Sequence, residues 1–166
     1  ALQEPVNAEA AHRKARQELD HLHHGDTSQN AGFRPILATL TERAHDTSLA
    51  VVDMDTKGDG TQVAVQLTWE QLADRVDAAA AQLHELGVRP DDRVNLMVPP
   101  GSRLTTLIYA CLKLGAVIVV ADTGLGLKGL TRALKGANPQ FIVGIPAALA
   151  AARSLLWPGQ RISVEP

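Results

Sequence analysis

The stretch Asp92–Gly126, DRVNLMVPPGSRLTTLIYACLKLGAVIVVADTGLG, limits the possible folds more than any other part of the chain. It opens on a short apolar run, turns at Pro99-Pro100-Gly101, and continues with apolar residues at helical spacing as far as Gly115. A second apolar run follows at once, and then a glycine-rich loop. Strand, helix and strand joined this tightly close as a right-handed βαβ unit, with parallel strands and the helix laid on one face. Ligands of doubly wound sheets gather at the carboxyl ends of such strands. The loop after the second strand is therefore the first place to look for function.

The same alternation extends on both sides. Thr68 and Gln71 make a T-x-x-Q capping box. Trp69, Leu72, Val76, Ala80, Leu83 and Leu86 then recur at helical spacing up to a stop at Gly87. The expected succession is strand 93–98, helix 102–114, strand 117–121, helix 127–135 stopped by Gly136, strand 140–144, a helix from Pro146, and strand 161–164. Upstream, segments 49–53 and 62–67 flank the turn TKGDG and predict an antiparallel hairpin. Pro35 suits the first position of a short helix ending near Ala44. The fold class is α/β: a mostly parallel sheet with helices on both faces, plus an antiparallel hairpin. Residues 33–166 form this unit. Residues 1–32 are an N-terminal extension, with a thinly amphipathic helix over 4–22 and a polar break, HHGDTSQNAG, after it.

Bulk properties exclude several classes. A chain of 166 residues buries roughly 70% of its unfolded surface, so neither disulfides nor metals are needed to hold it. A net charge of -2, with the basic residues scattered, argues against nucleic acid as a partner. No apolar run approaches the ~20 residues of a membrane span, and no signal-peptide pattern opens the chain. A single cysteine, Cys111, inside an apolar helix fits a reducing, cytoplasmic setting.

Three local patterns imitate functional motifs. DMDTKGDGTQVA (53–64) spaces Asp53, Asp55 and Asp59 like a calcium loop. However, Lys57 falls at a ligand position, and Ala64 stands where a bidentate Glu is required; a hairpin turn accounts for it. GLGLKG places Gly124, Gly126 and Gly129 after a strand and at a helix start, the context of a dinucleotide fingerprint. The acid expected ~20 residues on is missing, and Asp122 would repel a pyrophosphate. Asp122, Gly124 and Gly126 are nevertheless the one candidate cofactor-binding loop. His21, His23 and His24 cluster in a polar segment without a further ligand at suitable spacing. His84 lies on the polar side of its helix. Cys111 has apolar neighbours and reads as an inert core thiol. No nucleophile elbow, H-E-x-x-H, Walker loop or paired-cysteine site is present. We therefore assign no catalytic and no metal-binding residue.

Taken in order, LTWEQLADRVDAAAAQLHELGV (67–88), VRPDDRVNLMVP (88–99) and YACLKLGAVIVV (109–120) resemble the N-terminal part of the adenylate-forming superfamily of acyl-CoA synthetases, nonribosomal-peptide adenylation domains and luciferases. The resemblance spans roughly 33–155. Asp91 stands where the family usually has glycine. VVADTGLGLKGL and FIVGIP depart from the common pattern and resemble fatty-acyl-CoA ligase-like members, including the β-lactone synthetases of bacterial olefin biosynthesis. The resemblance implies a parent enzyme that uses ATP and Mg²⁺ to convert a carboxylate to an acyl-adenylate, and then passes the acyl group to coenzyme A. The family's phosphate loop, adenine-contacting segment and catalytic lysine belong further along a chain of several hundred residues. The fragment is thus expected to be inactive alone and to need no cofactor of its own. Its expected partner is the rest of the parent chain, with a homodimer through the N-terminal region as a further expectation. The alternative from the residues alone is a free-standing nucleotide-binding or protein-interaction domain.

Overall fold

The computed structural model describes residues 35–56, 62–120 and 126–164. Helix α1 (Ala38–Glu42) precedes the hairpin of β1 (Leu49–Thr56) and β2 (Gln62–Thr68). Helix α2 (Trp69–Glu85) follows β2 directly. The rest alternates: β3 (Arg93–Met97), α3 (Ser102–Lys113), β4 (Val117–Val119), α4 (Gly126–Ala137), β5 (Phe141–Gly144), α5 (Pro146–Ser154) and β6 (Gln160–Ser163). Strands β3 to β6 form one sheet in the order β4-β3-β5-β6, and every neighbouring pair is parallel. β1 and β2 pair only with each other, antiparallel. The expected α/β architecture is the one observed. The expected extension helix, the histidine cluster and the hairpin tip at 57–61 lie outside the described residues.

The sheet is covered on both faces because its strands alternate two apolar sets. Val94, Leu96 and Val98 of the β3 segment join Phe141, Val143 and Ile162 on one face, against Ala80 and Leu83 of α2 and Leu107, Ala110 and Cys111 of α3. Met97, Val119 and Ile142 point to the other face, against Leu130 and Leu134 of α4 and Ala152 of α5. A third cluster ties α1 and the hairpin to α2 through Leu40, Leu72, Ala73 and Val76, with Ala50 and Val51 of β1 packed against it. Between α2 and α3 the Lys113 ammonium donates to Asp77 at 2.8 Å, both side chains largely covered.

Most helix ends follow chemistry visible in the sequence. The Thr68 hydroxyl accepts from the Gln71 N–H at 3.2 Å, and the Gln71 side chain accepts from the Thr68 N–H at 3.1 Å, completing the capping box. α2 and α3 end in paired bonds that return the last amides to the helix: Val88 to Leu83 and Gly87 to His84, then Ala116 to Cys111 and Gly115 to Leu112. Gly87 (φ 103°) and Gly115 (φ 69°) supply the left-handed residue this motif needs. α5 ends in the same way, with Trp157 bonded to Ala152 and Leu156 to Arg153, but its left-handed residue is Leu156 at φ 53°. The expected stop at Gly136 is corrected: α4 runs through Gly136 to Ala137, and Asn138 takes the positive φ of 46° before Pro139. Asn tolerates that conformation, and a glycine inside a helix costs only about 1 kcal/mol against Ala.

Asp91, in the position where the resembled family carries glycine, also has a positive φ of 68°, and its N–H donates to the Gly115 carbonyl. Two substitutions should therefore relieve backbone strain. Leu156 is 78% exposed, so Leu156→Gly gives up little burial and should stabilise the chain by about 1 kcal/mol. Asp91→Gly should gain less, because Asp visits the left-handed region more readily than Leu. Urea melts in which Leu156→Gly lowered stability would contradict the left-handed end assigned to α5.

Candidate functional site

The carboxyl ends of β3, β5 and β6 open into a cleft of about 810 Å³. Val98, Ile145 and Val164 form its floor, Ala78, Ala79 and Gln82 of α2 one wall, and the first turns of α3 the other. Its position follows from the parallel topology, which sends every strand of this sheet out at the same edge.

The α3 side of the cleft depends on one long-range contact. After β3, Pro99 and Pro100 offer no N–H, and Gly101, the N-cap of α3, has no side chain to cap with. The missing cap comes from the hairpin, where Asp53 Oδ2 accepts the Ser102 N–H at 2.8 Å. A carboxylate at a helix N-terminus satisfies an orphan donor and offsets the positive end of the helix dipole. The fit leaves no slack. Gly101 has φ 151°, and a Cβ there would lie 2.6 Å from Asp53 Oδ2. The Thr105 and Thr106 hydroxyls donate back to the Gly101 and Ser102 carbonyls, fixing the first turn.

This arrangement determines which ligands the edge can take. A helix N-terminus at a strand's carboxyl end is the usual phosphate donor of α/β folds. Here that donor is occupied by a negative charge, which would also repel an incoming phosphate. Arg75 and Arg103 line the cleft on exposed side chains, but neither sits with a nucleophile or a base. The first amide of α3 is therefore not available to a phosphate. The cleft has an apolar floor, and Ser102, Thr106, Arg75 and Arg103 add polar and charged groups to its lining.

Of the candidate loop, Asp122 and Gly124 lie outside the described residues. Gly126 opens α4 with φ 63°, exposed and with open space where a Cβ would stand. Asp53, the first residue of the calcium-loop imitation, is bonded to the start of α3, and residues 57–61 of that loop lie outside the described residues. Among the described residues no group of three His, Cys, Asp or Glu side chains could hold a metal. Burial pushes the Cys111 thiol up to about 12, and its side chain is fully enclosed.

Two residues escaped sequence reasoning. Asp53 gave no local sign of its role, because its partner lies 49 residues away. Asn95 interrupts an otherwise apolar strand, and that interruption was a usable signal. It is fully buried, its side-chain N–H donates to the Val119 carbonyl at 2.9 Å, and its Oδ1 has no partner.

Comparison with known proteins assigns the class. A family model described as AMP-binding enzyme matches residues 41–162, and the chain belongs to that family. It is 35% identical over 127 residues to an olefin beta-lactone synthetase of Stenotrophomonas maltophilia, covering 74% of this chain and 23% of that protein. It is 36% identical over 101 residues to a salicylyl-CoA synthase / salicylate adenylyltransferase of a Streptomyces species, covering 58% and 17%. A crystal structure of a Brucella canis acyl-CoA synthetase superposes with a TM-score of 0.68 at 16% identity, over 96% of this chain and 28% of that one, a likeness of fold. The chain thus spans about a quarter or less of the length of these relatives.

Three outcomes test these assignments. Asp53→Ala should cost about 1–2 kcal/mol in urea melts, the loss of a charged N-cap. Gly101→Ala should cost at least as much in the native background, and clearly less once Asp53 is Ala, because the collision is then gone. Equal costs in the two backgrounds would show that Asp53 and Gly101 do not touch. Cys111 should resist alkylating reagents near neutral pH in the folded chain and react on unfolding. Stoichiometric labelling of the folded chain would place it outside the core.

Proposed function

We propose that residues 33–166 form the N-terminal α/β subdomain of an ATP-dependent carboxylate-activating enzyme, preceded by an extension over 1–32, and that the 166-residue chain is inactive by itself. The observation that carries this is the AMP-binding family match over 41–162. The cleft agrees with it. The edge where ligands gather is built, but its one helix N-terminus on the α3 side is neutralised by Asp53. The phosphates of ATP, with their Mg²⁺, are then held by other parts of the parent. The chain supplies a wall that positions the acyl part of the substrate and excludes water from it.

In the parent, a carboxylate oxygen attacks the α-phosphorus of ATP and pyrophosphate leaves; a thiol such as coenzyme A, losing its proton, then attacks the acyl carbon of the adenylate, and AMP leaves as the thioester forms. Catalysis of such a step rests on donors and cations placed around the phosphoryl oxygens as charge develops, and the described residues provide none in position. The resemblance of VVADTGLGLKGL and FIVGIP to fatty-acyl-CoA ligase-like members supports a fatty acyl substrate and a place in fatty-acid metabolism. The lone buried cysteine supports a cytoplasmic setting.

The test is carboxylate-dependent ATP–pyrophosphate exchange. The isolated chain should give none with fatty acids of any length, and the full-length parent should give it. The isolated chain should also bind no adenine nucleotide at ~1 mM, the level that would mark a free-standing nucleotide domain. Exchange by the isolated chain, abolished by changing Asp122 or Gly124, would overturn the proposal and return the glycine loop to phosphate chemistry.

A further inference from the structure

Arg75 of α2 and Arg103 of α3 line the cleft from opposite walls, and both side chains are exposed. Neither guanidinium has a hydrogen-bond or ion-pair partner among the described residues. The fork of an arginine matches a carboxylate through paired, charge-assisted N–H···O bonds. The one acidic side chain in the lining, Asp53, already accepts the Ser102 N–H. The lining therefore sets two free cations against one engaged anion. Beneath them the surface is apolar: Val98, Ile145 and Val164 make the floor, and the short side chains of Ala78 and Ala79 keep the α2 wall shallow. The volume of about 810 Å³ lies within the roughly 300–1,000 Å³ of small-molecule sites.

We propose that this cleft binds a carboxylate carried on a hydrocarbon tail, with the head held between Arg75 and Arg103 and the tail laid along the apolar floor. The cleft chemistry asks for an anion with an apolar tail, and naming that anion as an acyl carboxylate rests on the proposed function. A phosphate suits the site less well. Its usual donors are the free amides of a helix N-terminus, and here the Ser102 amide is taken by Asp53. An inorganic anion also gains nothing from the floor. A carboxylate whose oxygens both accept from guanidiniums has its lone pairs engaged and its charge offset. The site thus selects and holds the free acid without making it a nucleophile. An amide of the same acid has the tail but no charge and leaves both arginines unpaired, which is the basis of the selectivity.

The experiment is a titration of the isolated chain, followed residue by residue by NMR. The probes are octanoate, octanamide (the same tail without charge), and acetate and inorganic phosphate (a head without the tail). Octanoate should saturate with a Kd near or below ~1 mM, its shifts centred on Ala78, Ala79 and Ile145. Octanamide, acetate and phosphate should each bind at least about tenfold more weakly. Arg75→Gln and Arg103→Gln, both at exposed positions, should each raise the octanoate Kd at least roughly fivefold and leave the urea midpoint unchanged. Equal binding of octanamide reduces the cleft to an apolar surface, equal binding of acetate or phosphate reduces it to a general cation patch, and either overturns the proposal. So does octanoate affinity that survives both substitutions, or titration that does not saturate by ~10 mM. The same titration on the full-length parent should also saturate; loss of binding there would show the cleft filled by the rest of the polypeptide and overturn the site. Pyrophosphate exchange by the parent is read separately. Exchange without octanoate binding removes only this site, and binding without exchange removes only the proposed reaction.

Discussion

The bond from the Ser102 N–H to Asp53 joins parts of the molecule whose backbones are otherwise paired separately. The hairpin and the parallel sheet share no strand pairing. Among the described residues they are linked by the direct run of β2 into α2, by the packing of Ala50, Val51 and Tyr109 on the α1–α2 cluster, and by this charged contact across 49 residues. The α3 N-terminus could not have capped itself, since Gly101 is required there by the approach of Asp53 and by its own φ. Fold and chemistry are therefore set by the same atoms. The carboxylate that anchors the hairpin also takes the first free amide of α3 and offsets the positive end of its dipole beside the cleft.

Much of the fold was legible because the decisive interactions are local. The capping box of α2 needs only Thr68 and Gln71, and Gly87 and Gly115 mark helix ends because left-handed residues favour glycine. The same rule failed at Gly136, where the helix continued one residue to Ala137 and Asn138 made the turn. It also gave no warning at Leu156, where tertiary packing of Trp157, whose indole N–H donates to Thr131, outweighs the strain of a left-handed leucine. Strand ends were read one or two residues too long at β3 and β4, because apolar character continues past the last paired residue into Val98 and Val120.

The site was far less legible. A carboxylate reads alike whether it caps a distant helix, turns a hairpin or waits for calcium, and only the three-dimensional path brings Asp53 to Ser102. Asn95 is different: a polar side chain inside an apolar strand must find partners or leave a buried group unsatisfied at a cost of about 1–3 kcal/mol. It satisfies its donor through Val119 and leaves Oδ1 open.

The division of labour in the proposed parent enzyme follows from what this edge lacks. Parallel α/β sheets bind phosphates where a helix N-terminus meets the carboxyl end of a strand. After β3 that terminus belongs to α3 and is neutralised by Asp53. After β5 it belongs to α5, which begins at Pro146 and so loses one of its free donors outright. The first connection thus gives its free Ser102 donor to a carboxylate, and the second begins with one donor fewer. A subdomain built in this way can shape and shield a substrate without competing for the phosphates of ATP, and phosphate recognition is left to the part of the enzyme that performs the transfer.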